Sequence, residues 1–467
     1  MMLKNALVTA LATMTLGGCA TLAPDFQRPD APVPQTWATQ PEEGSARPLA
    51  DVGWQTYYTD LRLRELIAQS LEHNRDLRVA ALTIEQARAQ YQVQRASLSP
   101  SLEAGAQQSA QRVPGDLNAS GNSTTSRQYS ANVGFSAYEL DFFGRVRSLN
   151  EEALARFLAT EEAHRSARNS LIAEVANAWL RYAANSELLE LARGTLETRE
   201  KSLDLTRRSF EGGVVSALDL SQSETSMLRA RADVARQAVL VVQARNALEL
   251  LVGGSVAEAH LPLRIEDALA GVIEVAPGIP SEVLATRPDV LAAEQELRAA
   301  NANIGAARAA FFPRIVLTAT AGTASASLDG LFGSGSGAWS FIPQISLPIF
   351  DGGRREANLE VAITARDIAL ARYEFAIQSA FREVADALAE RANLVDQLDA
   401  QRNLLRAAEE NHRLSDARYR SGLDSFLGLL DAQRTLYSAE QELISTRLTD
   451  AANRVALFKL LGGGWQE

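Results

Sequence analysis

The chain has 467 residues, of which 46% are apolar, and its 57 acidic and 46 basic side chains give a net charge of −11. This balance argues against nucleic-acid binding, which needs clustered positive charge. One cysteine excludes disulfides within the chain and Cys-rich metal sites, and the four histidines are scattered without helical pairing. Neither a phosphate-cradling glycine loop nor a nucleophile elbow is present. We therefore expect no enzyme: no catalytic residue, no cofactor and no metal ion.

Residues 1–18 predict export from the cytoplasm. A positively charged start is followed by an apolar stretch from Ala6 to about Leu16, and two glycines precede Cys19. A charged start, a short apolar run and small residues before a cleavage point are the pattern of a secretory signal peptide. The apolar run is too short to cross a bilayer as a helix.

The motif Leu16-Gly17-Gly18-Cys19 resembles a bacterial lipoprotein box, in which Cys19 becomes the acylated first residue. The alternative is an ordinary signal peptide with an incidental cysteine, but the only cysteine stands where the box requires one. Several acyl chains would anchor the protein stably to a membrane. Ala20 follows, where an aspartate would signal retention at the inner membrane. The expected location is therefore the outer membrane.

The segment 19–60 is proline-rich. Six of the 15 prolines lie between residues 24 and 48. Such a composition predicts an extended, polyproline-like segment rather than a helix, with plain disorder as the alternative.

The rest of the chain contains an internal sequence repeat, and the fold prediction depends on recognising it. Residues 76–100 match residues 289–313 at a shift of 213, and from Gly144 onward, which falls on Gly353, the shift is 209. The shift falls by four residues between these two matches, so the segment between them differs in length between the repeats. The sequence therefore predicts repeat 1 at 61–254, a linker at 255–280 and repeat 2 at 281–467.

Each repeat begins and ends with predicted helices. Residues 61–97 have the composition of a helix, which is predicted to end before Pro100. Residues 145–210 hold no proline and one glycine, so they predict a helix about 99 Å long. A globular domain cannot bury such a helix, whereas coiled coils and helical tubes contain them. Similar reasoning predicts helices at 354–419, about 217–252 and about 426–461.

Between the helices the composition changes sharply. Residues 313–352 carry only three charged side chains, and apolar residues alternate with small polar ones in both repeats. Such alternation is typical of transmembrane barrel strands, although a half-buried soluble sheet would also fit. One hairpin per repeat is predicted, with strands within about 101–140 and about 314–350. Four strands cannot close a barrel, so several copies would have to share one: two copies would give eight strands and three would give twelve.

Five long motifs occur in order: Tyr138–Arg147, Arg287–Val290, Ala302–Pro313, Leu429–Arg434 and Gly462–Trp465. Together they resemble the outer membrane factor family, the TolC-like and NodT-like efflux outlets, over nearly the whole mature chain. The resemblance implies a mixed α and transmembrane β fold. In it, a homotrimer forms a twelve-stranded outer-membrane barrel continued by a long α-helical periplasmic tunnel.

The resemblance also implies the partners and the role. The chain would be the exit duct of a tripartite multidrug pump and would conduct drugs passively to the exterior. It would take them from a periplasmic adaptor (membrane fusion) protein and an inner-membrane resistance-nodulation-division transporter. Outer membrane lipids would surround its barrel and hold its lipid anchor.

Two glycine-containing turns, at 210–216 and 419–425, follow the long predicted helices. Helix capping alone explains them: Gly213 and Gly422 end one helix, and Ser216 and Ser425 cap the next. The family resemblance implies, in addition, that these tips dock the adaptor.

Leu427 and Asp431 are four residues apart and share a helix face. From the residues alone, a solvated aspartate is the simpler interpretation. The family resemblance implies a periplasmic gate, in which three copies form a leucine ring beside a carboxylate ring. Repeat 1 has Leu218 and Gln222 at these positions, so the two repeats are chemically unequal here.

Three alternatives remain open from the sequence. The same fold could serve as an outlet for protein secretion or for metal export, although no methionine or histidine cluster supports metal handling. A non-channel coiled-coil envelope lipoprotein would explain the long helices and Cys19. It would not explain the two charge-poor hairpins.

Overall fold

A computed structural model describes residues 21–34, 52–119, 121–273 and 281–463, with 281–283 described by their backbone only. Short 3₁₀ turns occur beside the regular elements of this part of the chain. Those elements are α1 (Trp54–Tyr57), α2 (Leu61–His73), α3 (Arg75–Ala96), β1 (Glu103–Val113), β2 (Thr124–Glu139), α4 (Arg145–Glu211), α5 (Ala217–Val252), α6 (Ile265–Leu269), α7 (Pro288–Ala309), β3 (Arg314–Ser325), β4 (Gly337–Ser346), α8 (Arg354–Arg420) and α9 (Phe426–Leu460).

The chain divides into two compact units. The first takes the described residues among 1–30, 83–161 and 292–374 and contains the four strands; the second takes those among 31–82, 162–291 and 375–467. In the described part of the second unit, the regular elements are helices, and one β-bridge joins Tyr58 to Val272.

The four strands of the first unit form one antiparallel sheet in the order β1-β2-β3-β4. Glu103 pairs with Gly134 between β1 and β2, and Arg314 pairs with Ser346 between β3 and β4. Among the described residues, β1 and β4 each pair on one side only, and nearly all of their residues are exposed. Open edges and two exposed faces are unstable in isolation, so the sheet needs surroundings that a single chain does not supply.

A cluster of ion pairs fixes the turn from β2 into α4. The Glu139 carboxylate accepts hydrogen bonds from Arg145 Nε and Nη2 at 2.8 and 2.7 Å, and from Arg314 Nε at 2.6 Å. The rings of Phe143 and Phe312 stack with centroids 4.7 Å apart beside it. The first repeat is thereby tied to the start of β3 in the second, where the strand hairpins join the helices.

The described part of the proline-rich segment, residues 21–34, has neither helix nor strand, and it packs against α7. The Arg28 guanidinium lies 2.6 Å from the Glu294 carboxylate, which is 3% exposed. Asn301 Nδ2 donates to the Pro24 carbonyl at 2.7 Å. These residues form no helix, in agreement with the proline-rich composition, and side-chain contacts hold them against α7.

The second unit has an aromatic core. Tyr57 stacks on Phe458 with ring centroids 3.9 Å apart, and Tyr57, Tyr58 and Trp179 are fully buried. Trp179 Nε1 donates to the His260 carbonyl at 2.9 Å, so its polar atom is satisfied. Burying one large side chain of this kind contributes about 3 kcal/mol. The Tyr57–Phe458 stack joins α1 to α9, and Trp179 joins α4 to the turn at His260.

The predicted helix 61–97 is two helices, and the prediction of one helix is wrong. Asn74 is extended (φ −64°, ψ 132°) between α2 and α3. Its side-chain oxygen accepts from Leu77 N at 2.9 Å and so caps α3, while its Nδ2 donates to the Leu251 carbonyl at 2.9 Å. The break therefore depends on a contact with a residue 177 positions away.

The long helices confirm the predicted repeat. Helices α4 and α8 each have 67 residues and begin and end 209 positions apart. The predicted shorter helices are also present, as α5 and α9. Among the described residues, no helix has an apolar run long enough to cross a membrane.

Candidate functional site

The first tip turn joins α4 to α5 through a glycine in the left-handed region. Gly213 has φ +76°, and its N–H donates to the Phe210 carbonyl at 2.9 Å. Val214 N donates to the Ser209 carbonyl at 2.8 Å, which closes the last turn of α4. Glycine adopts this conformation without strain, whereas most side chains do not. The predicted role of Gly213 in ending the helix is confirmed.

Ser216 then caps α5 in a reciprocal arrangement. Its hydroxyl accepts from Asp219 N at 3.2 Å, and Ser216 N donates to the Asp219 carboxylate at 3.0 Å. This is a capping box, which satisfies two N–H groups that the helix leaves free. The predicted cap at Ser216 is confirmed.

The second tip turn has the same backbone but a different set of side-chain bonds. Gly422 has φ +73°, and its N–H donates to the Tyr419 carbonyl at 2.9 Å. Ser425 stands at the N-cap of α9 but makes no side-chain cap bond, so the predicted cap at Ser425 is wrong. The Gly428 N–H, which the Ser425 hydroxyl would have to bind, donates to the Ser425 carbonyl at 3.2 Å instead. Gly428 also stands where repeat 1 has Asp219, so no carboxylate is present for the reciprocal bond of a capping box.

An ion pair braces this second turn instead. Arg418 donates two hydrogen bonds to Asp424, at 2.5 and 2.9 Å. These bonds hold the pKa of Asp424 below its usual value. The Tyr419 ring packs against Phe426, which is 3% exposed, with centroids 5.6 Å apart.

Both tips present an exposed apolar residue directly after the glycine. Val214 is 80% exposed and Leu423 is 69% exposed, and they occupy equivalent positions of the two repeats. Sequence reasoning missed this pair, although the match at a shift of 209 contains the signal. An apolar side chain at the apex of each turn thus leaves most of its surface in solvent and is suited to contact another protein.

The two candidate gate residues lie on α9, one turn apart. Leu427 is 60% exposed and the Asp431 side chain is 69% exposed. Asp431 Oδ1 accepts from Arg434 Nη2 at 3.3 Å. The shared face predicted for Leu427 and Asp431 is present, and both side chains are free to meet another chain.

The equivalent positions of repeat 1 differ in surroundings. Leu218 is 65% exposed, close to the 60% of Leu427, but Gln222 is half-buried. Gln222 borders a cavity of about 350 Å³ that also touches Arg434, the partner of Asp431. The neutral residue of repeat 1 and the arginine that binds Asp431 in repeat 2 therefore border the same cavity.

Cys19, the candidate lipid site, lies outside the described residues. Within the described ranges, no group of three His, Cys, Asp or Glu side chains is arranged to hold a metal ion.

Comparison with known proteins shows which family this chain is similar to. The family model of the outer membrane efflux protein matches the chain twice, at residues 66–254 and 279–463. The toluene efflux pump outer membrane protein TtgC of Pseudomonas putida is 48% identical over 472 residues, which cover 100% of this chain and 97% of that one.

Two solved structures are also similar. A membrane protein from Pseudomonas aeruginosa has a TM-score of 0.90 at 44% identity, and the match covers 95% of this chain and all of that one. The open state of the MtrE outer membrane channel of Neisseria gonorrhoeae has a TM-score of 0.85 at 41% identity, covering 96% and 99%. The double family match confirms the repeat that the sequence predicted.

Proposed function

The chain belongs to the outer membrane efflux protein family, and from this premise we propose that it is the outer membrane outlet of a tripartite efflux pump. The observation that carries the proposal is the sheet with two open edges, joined in each repeat to a 67-residue helix. A conduit needs walls and an opening rather than a reacting group. Transport through it would be passive, with the energy supplied by the inner-membrane pump.

Three copies would share one barrel in this proposal. Each chain contributes four strands, and a sheet with open edges is not tolerated in lipid. Closure by β4 of one chain pairing with β1 of the next gives twelve strands in a homotrimer. The exposed apolar residues of β4, among them Trp339 at 81% and Ile345 at 69%, would then face outer membrane lipids. The long helices would continue the barrel as a periplasmic tunnel.

The substrate class we propose is small, predominantly apolar toxic molecules, including drugs and organic solvents. Support comes from a relative named as a toluene efflux pump component, which matches this chain along its whole length. The inner-membrane transporter, of the resistance-nodulation-division type, would select among them. The outlet would need only to let them pass.

Adaptor docking would take place at the two tips. The turns of Gly213 and Gly422 leave open space around each glycine, with no atom within 4 Å of an added Cβ. Val214 and Leu423 extend from them into solvent. A periplasmic adaptor protein with a small apolar socket for each turn fits this surface.

The gate would lie one helical turn beyond the second tip. In a trimer, three exposed Leu427 side chains would bury against one another and narrow the opening. Three Asp431 carboxylates beside them would repel unless cations, water or Arg434 offset their charge. A closed state held by such contacts lies within a few kcal/mol of the open state, the range that a docking partner shifts.

Membrane attachment would use Cys19, acylated after removal of residues 1–18. The division into a leader (1–18), a proline-rich segment (19–60), two repeats (61–254 and 281–467) and a linker (255–280) belongs to the same proposal. Palmitate on Cys19 would anchor the chain in addition to its barrel.

Deletion of the gene, followed by profiling against drugs, toluene and metal salts, tests the proposed function. We expect sensitivity to drugs and solvents to rise and the wild-type gene to reverse this rise, while tolerance of metal salts stays unchanged. Unchanged drug and solvent tolerance in a strain that lacks redundant outlets would contradict the proposal. A defect limited to metal tolerance or protein export would favour one of the other outlets instead.

A further inference from the structure

Arg199, in the middle of α4, is buried without a counter-charge. It is 7% exposed, and its Nη1 is fully buried with no hydrogen-bond acceptor. No carboxylate among the described residues forms an ion pair with it, whereas the equally buried Arg287 binds both Asp289 and Glu383. Burial lowers the pKa of Arg199 to about 10, so the group still carries its charge at neutral pH. An unpaired buried charge is strongly unfavourable, so an occupant that neutralises it would stabilise the fold.

Neighbouring carboxylates on α4 are used elsewhere. The positions three and four residues from Arg199 in either direction carry no acidic residue. Glu197 binds Lys201 at 2.6 Å, and Glu200 lies 3.4 Å from Arg231. The helix itself therefore provides nothing that neutralises the guanidinium.

Arg199 borders two cavities, of about 340 and 350 Å³, and each has room for a small ion with part of its hydration shell. The first also touches Thr195, Gln433 and Tyr437. Gln433 is 7% exposed, and its Oε1 and the Tyr437 hydroxyl are buried with no partner in hydrogen-bonding geometry. Burial and the nearby Asp233 carboxylate raise the pKa of Tyr437. The arginine and the hydroxyl offer N–H and O–H donors to this space, and the Gln433 amide offers an N–H donor once it is turned so that Nε2 takes the place of Oε1.

Two carboxylates border these cavities without forming an ion pair with Arg199: Glu440 lines the first, and Asp233, which lies 2.7 Å from Arg236, lines the second. Burial lowers the pKa of His412, and the nearby Arg199 lowers it further, against an opposing effect of Asp416. Burial and the neighbouring Glu409 raise the pKa of Glu440, which favours its neutral form. Asp416 itself lies 2.9 Å from Arg420, to which it is committed.

We propose that Arg199 binds a small inorganic anion, such as chloride, in the cavity between α4, α8 and α9. The guanidinium, the Tyr437 hydroxyl and the Gln433 amide would donate to the ion. The ion would neutralise the buried charge and join α4 to α9, and so act as an internal part of the helical unit. This inference concerns packing within one chain and does not depend on what the protein transports.

Thermal unfolding of the detergent-purified full chain tests the proposal when chloride replaces gluconate at constant ionic strength. A roughly hundredfold increase in chloride should raise the apparent Tm of the wild type by about 2 °C, because the ion binds the folded state. Arg199→Met should remove this rise. Arg207→Met, at an exposed arginine of the same helix, should retain it. A wild type that ignores chloride, or an Arg199→Met variant that responds equally, would overturn the proposal.

Bromide soaked into crystals of the wild type gives a second reading that needs no variant. We expect an anomalous peak within hydrogen-bonding reach of the Arg199 guanidinium. A cavity that holds only water would overturn the proposal. A carboxylate of a second copy bound to Arg199 would also overturn it, because the charge would then be neutralised without an inorganic anion.

Discussion

Removing the gate side chains should open the channel. The substitutions are Leu427→Ala, Asp431→Ala and the two together. Leu427 is 60% exposed in the single chain, so most of its surface is available to bury against its copies in a trimer. Full burial of a leucine contributes about 1.5–3 kcal/mol, so the exposed part is worth about 1 kcal/mol per chain.

Over three chains, Leu427→Ala would weaken the closed state by about 3 kcal/mol, on the order of a hundredfold shift toward opening. Folding should suffer much less. The part of Leu427 already buried in its own chain contributes about 1 kcal/mol. The exposed pair of Asp431 and Arg434, 3.3 Å apart, adds at most about 0.5 kcal/mol. A change in conduction would therefore report the opening and not unfolding.

Single-channel conductance in planar bilayers measures the opening of the channel, and the sensitivity of cells to vancomycin measures the same opening in vivo. The single variants should conduct more than the wild type, and the double variant most. Leu218→Ala and Gln222→Ala, at the equivalent positions of repeat 1, are the matched controls and should change conductance less, because neither residue belongs to the proposed leucine and carboxylate rings. A double variant that conducts like the wild type would refute the assignment of Leu427 and Asp431 to the constriction.

Three further predictions concern the tips and the anchor. Gly213→Asn and Gly422→Asn keep the left-handed turn, which Asn tolerates, but add a side chain at the docking surface; drug resistance should fall with trimers intact, and full resistance would contradict docking. Ser216→Ala should cost about 1 kcal/mol of unfolding free energy in urea titrations and Ser425→Ala clearly less, because only Ser216 makes a cap bond; equal losses would contradict this reasoning. Cys19→Ser, exported by another signal peptide, should lose palmitate labelling and still assemble; labelling that persists would place the lipid elsewhere.

The sequence predicts the elements well where local chemistry alone determines them. Residues 145–210 contain no proline, and the helix there runs from Arg145 to Glu211. The alternation of apolar and small polar residues predicted both hairpins, and the glycines at 213 and 422 predicted both turns. Each of these features depends on the backbone preferences of nearby residues, which the sequence states directly.

The errors arise where distant contacts or missing partners decide the outcome. Asn74 divides a helical segment because its side chain also bonds the Leu251 carbonyl, a contact that no local pattern reveals. Ser425 has the residue type of a cap but lacks the acidic partner that Asp219 provides for Ser216. The unpaired burial of Arg199 likewise depends on helices α8 and α9, which pack around it from more than 200 residues away.

The central claim is that three copies share one barrel, and the mass of the folded protein in detergent tests it most directly. Native mass spectrometry, with circular dichroism to confirm the β-signal, should find a particle of three chains. The 467-residue chain has a mass of 50.5 kDa. A stable monomer that retains its full β-signal would contradict the account, because four strands with open edges would then be stable without partners.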